Sequence, residues 1–325
     1  MDAQFVDFAR LWTPVAYAHE LKRKPLPVKV AGERLVLWRT EQGVQAALDR
    51  CPHRGVQLSL GHVRPDGCLE CPFHGWRFGP DGACTHVPMN PRAHLAPLGL
   101  ATLPVRERGG MIWVFTEVGA EDPGEPDLPE AFLRDDLARY DYAETWSCHW
   151  TRAMENMLDY PHLPFVHRTT IGAGVRRRLK EDSQAELLVH ERPHGFEIES
   201  HLEGGGTGLL WYRPNGMALE TLPPDKGYMR VHAFCVPVDA EHTRMMTVTV
   251  RGFGVRNPLY WLTDRFTVFI LRQDRAVTES HDPVEVPPPA DELSVGTDRP
   301  TLAFRQWYLR HCKGSHERPA DRASA

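Results

Sequence analysis

The stretch CPHRGVQLSLGHVRPDGCLECPFHGWRF, residues 51–78, decides the fold. It opens on Cys51-Pro52-His53, runs through seventeen residues and continues with Cys71-Pro72-Phe73-His74. Two thiolates and two imidazoles on a pair of β-turn loops can hold zinc or a two-iron cluster. Structural zinc sites more often use paired Cys-x(2–4)-Cys knuckles. Here each loop supplies one cysteine and one histidine, so the two cysteines can hold one iron and the two histidines the other. Pro52 and Pro72 stiffen the loops, and Gly55 and Gly75 let backbone approach the cluster closely. Cys68 and Cys84 fall off this pattern and read as structural thiols.

Working outward, Val28, Val30, Leu35–Trp38 and Val44–Leu48 have strand character, broken by turns at Ala31-Gly32 and Gln42-Gly43. Further strands are expected around Cys68–Phe78 and Val105–Phe115, so residues 28–116 read as a small all-β domain. A short amphipathic stretch (Phe5, Phe8, Leu11, Trp12) precedes it. The segment TEVGAEDPGEPDLP reads as a linker. The division expected is 1–120 for the cluster domain with its N-terminal extension and 121–325 for a second domain. That second domain reads as helical over 151–163. Strands follow at Glu186–His190, Phe196–His201, Leu209–Tyr212, Tyr228–Val238 and Met245–Val250. A helix at Pro258–Thr278 and an extended loop at Asp282–Leu293 complete it. The fold class expected is α+β: an all-β domain, then an antiparallel sheet flanked by helices.

The second domain holds ENMLDYPHLPFVH, residues 155–167. Residues three apart on a helix are neighbours, so Asp159 and His162 are expected to share a helical face. His167 follows Pro164, which is expected to break the helix and let His167 swing back toward the same point. Two neutral imidazoles beside an acid suit a first-row metal, and iron with open positions favours two histidines and one carboxylate.

Composition sets limits. With 325 residues, 42% hydrophobic and 25% charged, the chain is an ordinary globular sequence long enough for two domains. A net charge of -5 argues against nucleic acid or an anionic membrane as the main partner. The N-terminus lacks the basic start and apolar core of a signal peptide, and the apolar runs are too short to span a bilayer. The seven cysteines show no disulfide-scaffold spacing, so a cytoplasmic, reducing setting is expected.

With both constellations in view, the chain resembles the Rieske non-haem iron oxygenases along essentially its whole length. The CPHRG and CPFHGW loops match the Rieske domain, and Asn156-x-x-Asp159-x-x-His162-x4-His167 matches the catalytic iron motif. The extra cysteine that each loop carries in respiratory-type Rieske proteins is missing, and Trp76 follows His74-Gly75. Fewer hydrogen bonds to sulfur imply a potential toward the low end of the Rieske range.

The resemblance implies a [2Fe-2S] cluster on Cys51, His53, Cys71 and His74, and a mononuclear Fe(II) on His162 and His167. The third ligand is expected in RQDRAVTES, residues 272–280, where Asp274 matches. Gln273 stands where an acid is common in the family. On a helical wheel Leu262, Phe266, Phe269, Ile270, Gln273 and Val277 share one face with Asp274 at its edge, and Asp264, Glu279 and Asp282 lie opposite. Asp159 is similar to the aspartate that couples the Rieske histidine of one subunit to an iron histidine of the next, with Asn156 one turn behind.

The activity implied is that of a terminal oxygenase of the vanillate-demethylase or pheophorbide-oxygenase-like group. Such a protein uses O2 and electrons from NAD(P)H, delivered by a separate reductase or ferredoxin, to hydroxylate or demethylate a small aromatic or polycyclic substrate. A homotrimer is implied. The alternatives are cis-dihydroxylation or desaturation at the same site, or a non-catalytic Rieske electron carrier. Trp211, Met217, Phe253 and Tyr260 can line a pocket, although strand aromatics are usually core. RRRLK, residues 176–180, reads as a solvated loop able to meet an acidic reductase, and Gly204–Gly208 as a flexible turn.

Overall fold

A computed structural model describes residues 4–201, 208–222, 225, 227–255, 257 and 260–314. Of the glycine run at 204–208, residues 204–207 lie outside this set, as does Pro258 at the expected start of a helix. Chain contacts divide the protein into two compact units, Met1–Leu128 with the C-terminal segment from Lys313, and Pro129–Cys312. Lys313 and Gly314 tie to the first unit through the Asp7 carboxylate, at 3.0 and 2.7 Å.

The first unit is built from three antiparallel sheets. Leu26–Val30, Glu33–Thr40, Gly43–Leu48 and Thr102–Leu103 form one, joined by the turns at Ala31-Gly32 and Gln42-Gly43. Phe5 and Phe8 are buried in turns, and Trp12–Tyr17 is a strand paired with Met111–Phe115, which pairs in turn with Val105–Arg108. Short strands His62–Val63, Leu69–Glu70, Arg77–Phe78 and Cys84–His86 make the third sheet. This sheet carries the second cysteine loop between Glu70 and Arg77. Cys51 and Cys71 belong to its core with Val36, Trp38, Leu69 and Phe78.

The second unit is a seven-stranded antiparallel sheet. Its spatial order is Ala138–Trp146, Thr243–Arg251, Met229–Pro237, Gly216–Leu222, Gly208–Tyr212, Gly195–His201, Glu186–Arg192. Strand residues alternate between faces, so Met229, Val231 and Ala233 face a cavity while His232 points to the opposite side against Phe132. Among the described residues, five α-helices accompany the sheet: α1 (Trp150–Leu158), α2 (Leu163–Val166), α3 (Ala173–Arg178), α4 (Trp261–Thr278) and α5 (Arg299–His311).

Helix α1 is buried along its whole length. His149 caps it by accepting from the Thr151 N–H, and Trp150 packs edge-on against Phe304 and Tyr308 of α5. Its charged residues are internally satisfied. Arg152 reaches Glu155 at 3.2 Å, Glu292 at 2.7 Å and the Pro283 carbonyl at 3.0 Å, while Arg305 of α5 reaches Glu155 and Glu292 at 2.7 and 2.8 Å.

His232 has no such partner at either ring nitrogen. Burial, with Arg230 and Arg139 nearby, pushes its pKa down to about 3. The unfolded chain therefore takes up a proton below about pH 6.5 that the native sheet refuses, and stability falls as pH drops through that window. Wild type should lose about 2 kcal/mol between pH 7 and pH 5 relative to a His232→Leu variant. Denaturant titrations of both proteins across that range check this, and parallel pH profiles would contradict it.

Candidate metal centres

The two loops of the first unit share one hydrogen-bond plan. The Cys51 N–H donates to the Val56 carbonyl and the Gly55 N–H to the Cys51 carbonyl, both at 2.8 Å. In the second loop Cys71 N–H reaches the Trp76 carbonyl at 2.8 Å and Gly75 N–H the Cys71 carbonyl at 3.1 Å. Both closures need the left-handed backbone of Gly55 (φ +72°) and Gly75 (φ +68°). The buried Asp49 carboxylate anchors the chain beyond the first loop through the Ser59 N–H and hydroxyl, at 2.8 and 2.6 Å.

The outcome is a graded site. Cys51 and Cys71 are buried, while His53 and His74 are exposed with ring centroids 4.8 Å apart. Trp76 lies flat on His53 at 4.6 Å. Burial, and then the Cys71 thiol beside it, pushes Cys51 up to about 11. A metal here must displace the thiol proton. His53 is lowered by desolvation and by the neighbouring His74 and Arg54, which favours the neutral, ligating imidazole. Cys84 is a buried thiol and Cys68 a half-buried one beside Thr85.

In the second unit the expected helix over 151–163 is shorter. Helix α1 stops at Leu158, and Asp159 is its C-terminal cap in extended conformation. Asp159 and His162 therefore meet across a turn instead of along a helical face. Asp159 Oδ2 accepts from the His162 backbone N–H at 2.9 Å and lies 3.1 Å from its Nδ1. Proline fits the first turn of a helix, where its missing N–H costs nothing, and Pro164 sits in the first turn of α2 instead of ending a helix. His167 closes α2 and is buried.

Asp274 comes from α4, 107 positions beyond His167 in the sequence. Ligand atoms of His162, His167 and Asp274 all lie within 4.8 Å of one another. Asp274 Oδ1 stands 3.4 Å from His162 Nε2 and 3.0 Å from His167 Nε2, yet it makes no well-formed hydrogen bond. Burial works to raise the Asp274 pKa, but the two imidazoles outweigh it and hold it below the ordinary value. Burial likewise works to lower His162, but Asp159 and Asp274 together raise it to about 9.

Helix α4 is rotated only part-way from the face the wheel favours: Phe266, Ile270 and Asp274 border the cavity and Gln273 meets His167. Leu262, Phe266, Phe269 and Val277 are exposed, whereas Asp264 and Asp274 are buried. The reason is charge. Asp264 pairs with the buried Arg251 at 3.4 Å, and Asp274 meets the histidines. Of the possible pocket residues, Met217 lines the cavity beside His162, His167 and Asp274. Trp211 instead packs on Phe304 and Trp307, and Phe253 and Tyr260 pack on each other. Arg176–Arg178 sit on the short helix α3 and are exposed.

Residues 11–104 match the Rieske [2Fe-2S] domain, and residues 206–312 match the vanillate O-demethylase oxygenase C-terminal domain. The chain belongs to the Rieske non-haem iron oxygenases. The methylxanthine N3-demethylase NdmB of Pseudomonas putida is 28% identical over 319 residues, which is 91% of this chain and 87% of that one. The dicamba O-demethylase oxygenase component of Stenotrophomonas maltophilia is 34% identical over 178 residues, 53% of this chain and 51% of that one. The solved structure of Pseudomonas putida CBB5 NdmB superposes with a TM-score of 0.82 at 26% identity, covering 95% of this chain and 92% of that one.

As a Rieske terminal oxygenase the protein carries a [2Fe-2S] cluster and a mononuclear iron, and takes its electrons from a separate donor. The donor sets fit both groups. Two buried thiols and two outward imidazoles on matching loops suit a cluster with sulfur on one iron and nitrogen on the other. The unsatisfied Asp274 Oδ1 facing two Nε2 atoms is a cradle for a cation.

Gln273, which stands where an acid is common in the family, also belongs to this site. Gln273 Oε1 accepts from His167 Nδ1 and from the Thr170 hydroxyl, each at 2.9 Å. Each histidine thus has Nδ1 engaged by an oxygen, Asp159 for one and Gln273 for the other, which leaves Nε2 free to face the metal. Replacing Gln273 by Leu should weaken Fe(II) or Co(II) binding at the mononuclear site by about 10–100-fold, the usual effect of losing such a partner. Metal titration of the variant with its cluster intact checks this, and unchanged affinity would refute it.

The raised pKa of His162 gives a second expectation. Below about pH 9 the metal-free site holds a proton on His162 that a cation must expel. Binding should therefore release about one proton at neutral pH and tighten as pH rises toward 9. Calorimetric titration in buffers of differing ionisation heat measures the proton count.

Proposed function

We propose that this protein is a Rieske monooxygenase or demethylase acting on a small aromatic or heterocyclic molecule. The observation that carries the reading is the meeting of His162, His167 and Asp274 at one wall of an apolar cavity of about 370 Å3. Methylxanthine N3-demethylase, methylxanthine N1-demethylase and dicamba O-demethylase among the relatives support demethylation in particular.

In this proposal the first unit is the electron-entry domain, with the cluster on Cys51, His53, Cys71 and His74. The second is the oxygenation domain, with iron on His162, His167 and Asp274. When bound, the cluster supplies single electrons and the mononuclear iron supplies O2 activation. The protein's own part is to orient and exclude. Asp159 and Gln273 hold the two imidazoles in the Nδ1–H tautomer. Asn156, on the last turn of α1, borders the cavity, and its Nδ2 is buried without a hydrogen-bond partner. The surrounding side chains keep water from the reacting carbon.

Asp159 also serves as the electron link. Its Oδ2 is occupied by His162, its side chain is 26% exposed, and its second oxygen is left to accept from the ring of a Rieske histidine. We place that histidine, His74, on a neighbouring subunit, which makes the assembly a head-to-tail homotrimer. The exposed arginines of α3 suit an acidic reductase or ferredoxin fed by NAD(P)H. No helix is long and apolar enough to cross a membrane among the described residues, and all seven cysteines are unpaired, which accords with a cytoplasmic setting.

Anaerobically reconstituted protein should contain about three irons and two acid-labile sulfides per chain; two of each, unmoved by added ferrous iron, would leave only an electron carrier. His162→Ala should abolish turnover and keep the visible spectrum of the cluster. Asp159→Asn should retain both metals and slow cluster reoxidation by at least tenfold. Reoxidation at the wild-type rate would remove Asp159 from the electron path.

A further inference from the structure

Resting on the reading of His162, His167 and Asp274 as ligands of the mononuclear iron, the contacts of Gln273 single out one more residue. An amide side chain has two faces of nearly the same shape: its oxygen accepts hydrogen bonds and its nitrogen donates them. Turned one way, Gln273 accepts from His167 Nδ1–H and leaves Nε2 bare for a metal. Turned the other way, its NH2 donates to Nδ1, and the imidazole proton moves to Nε2. Asp274 Oδ1 stands 3.0 Å from that Nε2, so the proton would close an imidazole–carboxylate pair across the metal position. A carboxylate at this place in α4 has no second orientation of that kind, because both of its oxygens accept. The amide needs a neighbour that chooses its face.

Thr170 makes that choice. Its hydroxyl lies 2.9 Å from the same Oε1 that meets His167. A second acceptor, the His167 carbonyl, is 3.3 Å away. That carbonyl already takes the N–H groups of Thr170 and Gly172, at 2.9 and 3.0 Å. Two lone pairs are then filled, and the hydroxyl hydrogen goes to Gln273. A donor at that point matches only the oxygen face of the amide. The turn carrying Thr170 is itself pinned, since a side chain at Gly172 would collide with the Leu163 carbonyl and push the chain off α2.

We propose that Thr170 is a positioning residue for the mononuclear metal. By donating to Gln273 Oε1 it fixes the orientation of the amide, and through it the Nδ1–H tautomer of His167 that leaves Nε2 to the metal. Thr170 and Gln273 together do what a single carboxylate does alone.

The test is Co(II) binding to the full-length, cluster-loaded protein freed of its mononuclear iron. Equilibrium dialysis with elemental analysis counts the metal, and the site is defined as the Co(II) that a His162→Ala chain fails to hold. Thr170→Val keeps the shape, puts a methyl group where the hydroxyl was and should weaken this site by about threefold or more, the effect of one hydrogen bond. Thr170→Ser keeps the donor and should stay within about twofold of wild type. In a Gln273→Glu background, Thr170→Val should cause no weakening, because either carboxylate oxygen accepts from His167. Thr170→Val that binds as tightly as wild type overturns the proposal. So does Thr170→Ser that loses as much as Thr170→Val, or a Thr170→Val loss that is equal in both backgrounds, since either marks plain packing. The two readings fail in different measurements. Wild type that holds no more Co(II) than His162→Ala sinks the metal site and this proposal with it, whereas binding by wild type with Thr170→Val unmoved sinks the role of Thr170 alone.

Discussion

Asp274 is a carboxylate held almost out of water, and the second unit is arranged around what that demands. A buried carboxylate is tolerated only where positive charge or donors meet it. Here the partners are the Nε2 atoms of His162 and His167. Meeting that demand fixes which side of α4 faces inward, at the expense of leaving Leu262, Phe266, Phe269 and Val277 exposed. The same requirement acts a few turns earlier, where Asp264 meets Arg251. Two charge pairs outweigh an apolar stripe, because an unpaired buried charge costs more than an exposed phenylalanine or leucine loses.

The histidines can answer only if the end of α1 is held still, and that is the work of a second buried network. Arg152 and Arg305 share Glu155 and Glu292, joining α1 to α5 and to the loop before it. Such networks add little net stability over apolar packing, but they specify a single arrangement when every member is satisfied. With α1 locked, its end at Asp159 places one carboxylate oxygen where it takes both the backbone N–H and the Nδ1 of His162. Gln273, one residue before Asp274, does the same for His167. A neutral amide here, in place of an acid, leaves the metal site one negative charge poorer without losing the hydrogen bond.

The two units solve the problem of holding a metal in different ways. In the first, each cysteine closes its own loop through a bond to a glycine four residues on, so the geometry is local and repeated. In the second, His162, His167 and Asp274 come from helices far apart in the chain, and they meet only once the sheet, α1 and α4 have packed. A cluster that passes electrons needs its histidines near the surface, and His53 and His74 are exposed. A centre that handles O2 needs exclusion of water, and His167 and Asp274 are buried.

That contrast explains how much could be read from residues alone. The cysteine loops, the small β domain and the antiparallel sheet were legible because they rest on short-range spacing: two-residue alternation, turn glycines, and a Cys-Pro pair repeated twenty residues apart. The His162–His167 pair was legible for the same reason. What tertiary packing alone decided was which way each element turned. It ended α1 at Leu158, made Trp12–Tyr17 a strand against Met111–Phe115, and set the charged side of α4 inward. Gln273 became a partner of His167, and the Asn156 Nδ2 was buried without a hydrogen-bond partner. Local pattern records where a residue lies along the chain, whereas burial of a charge or an amide depends on what other segments bring to it.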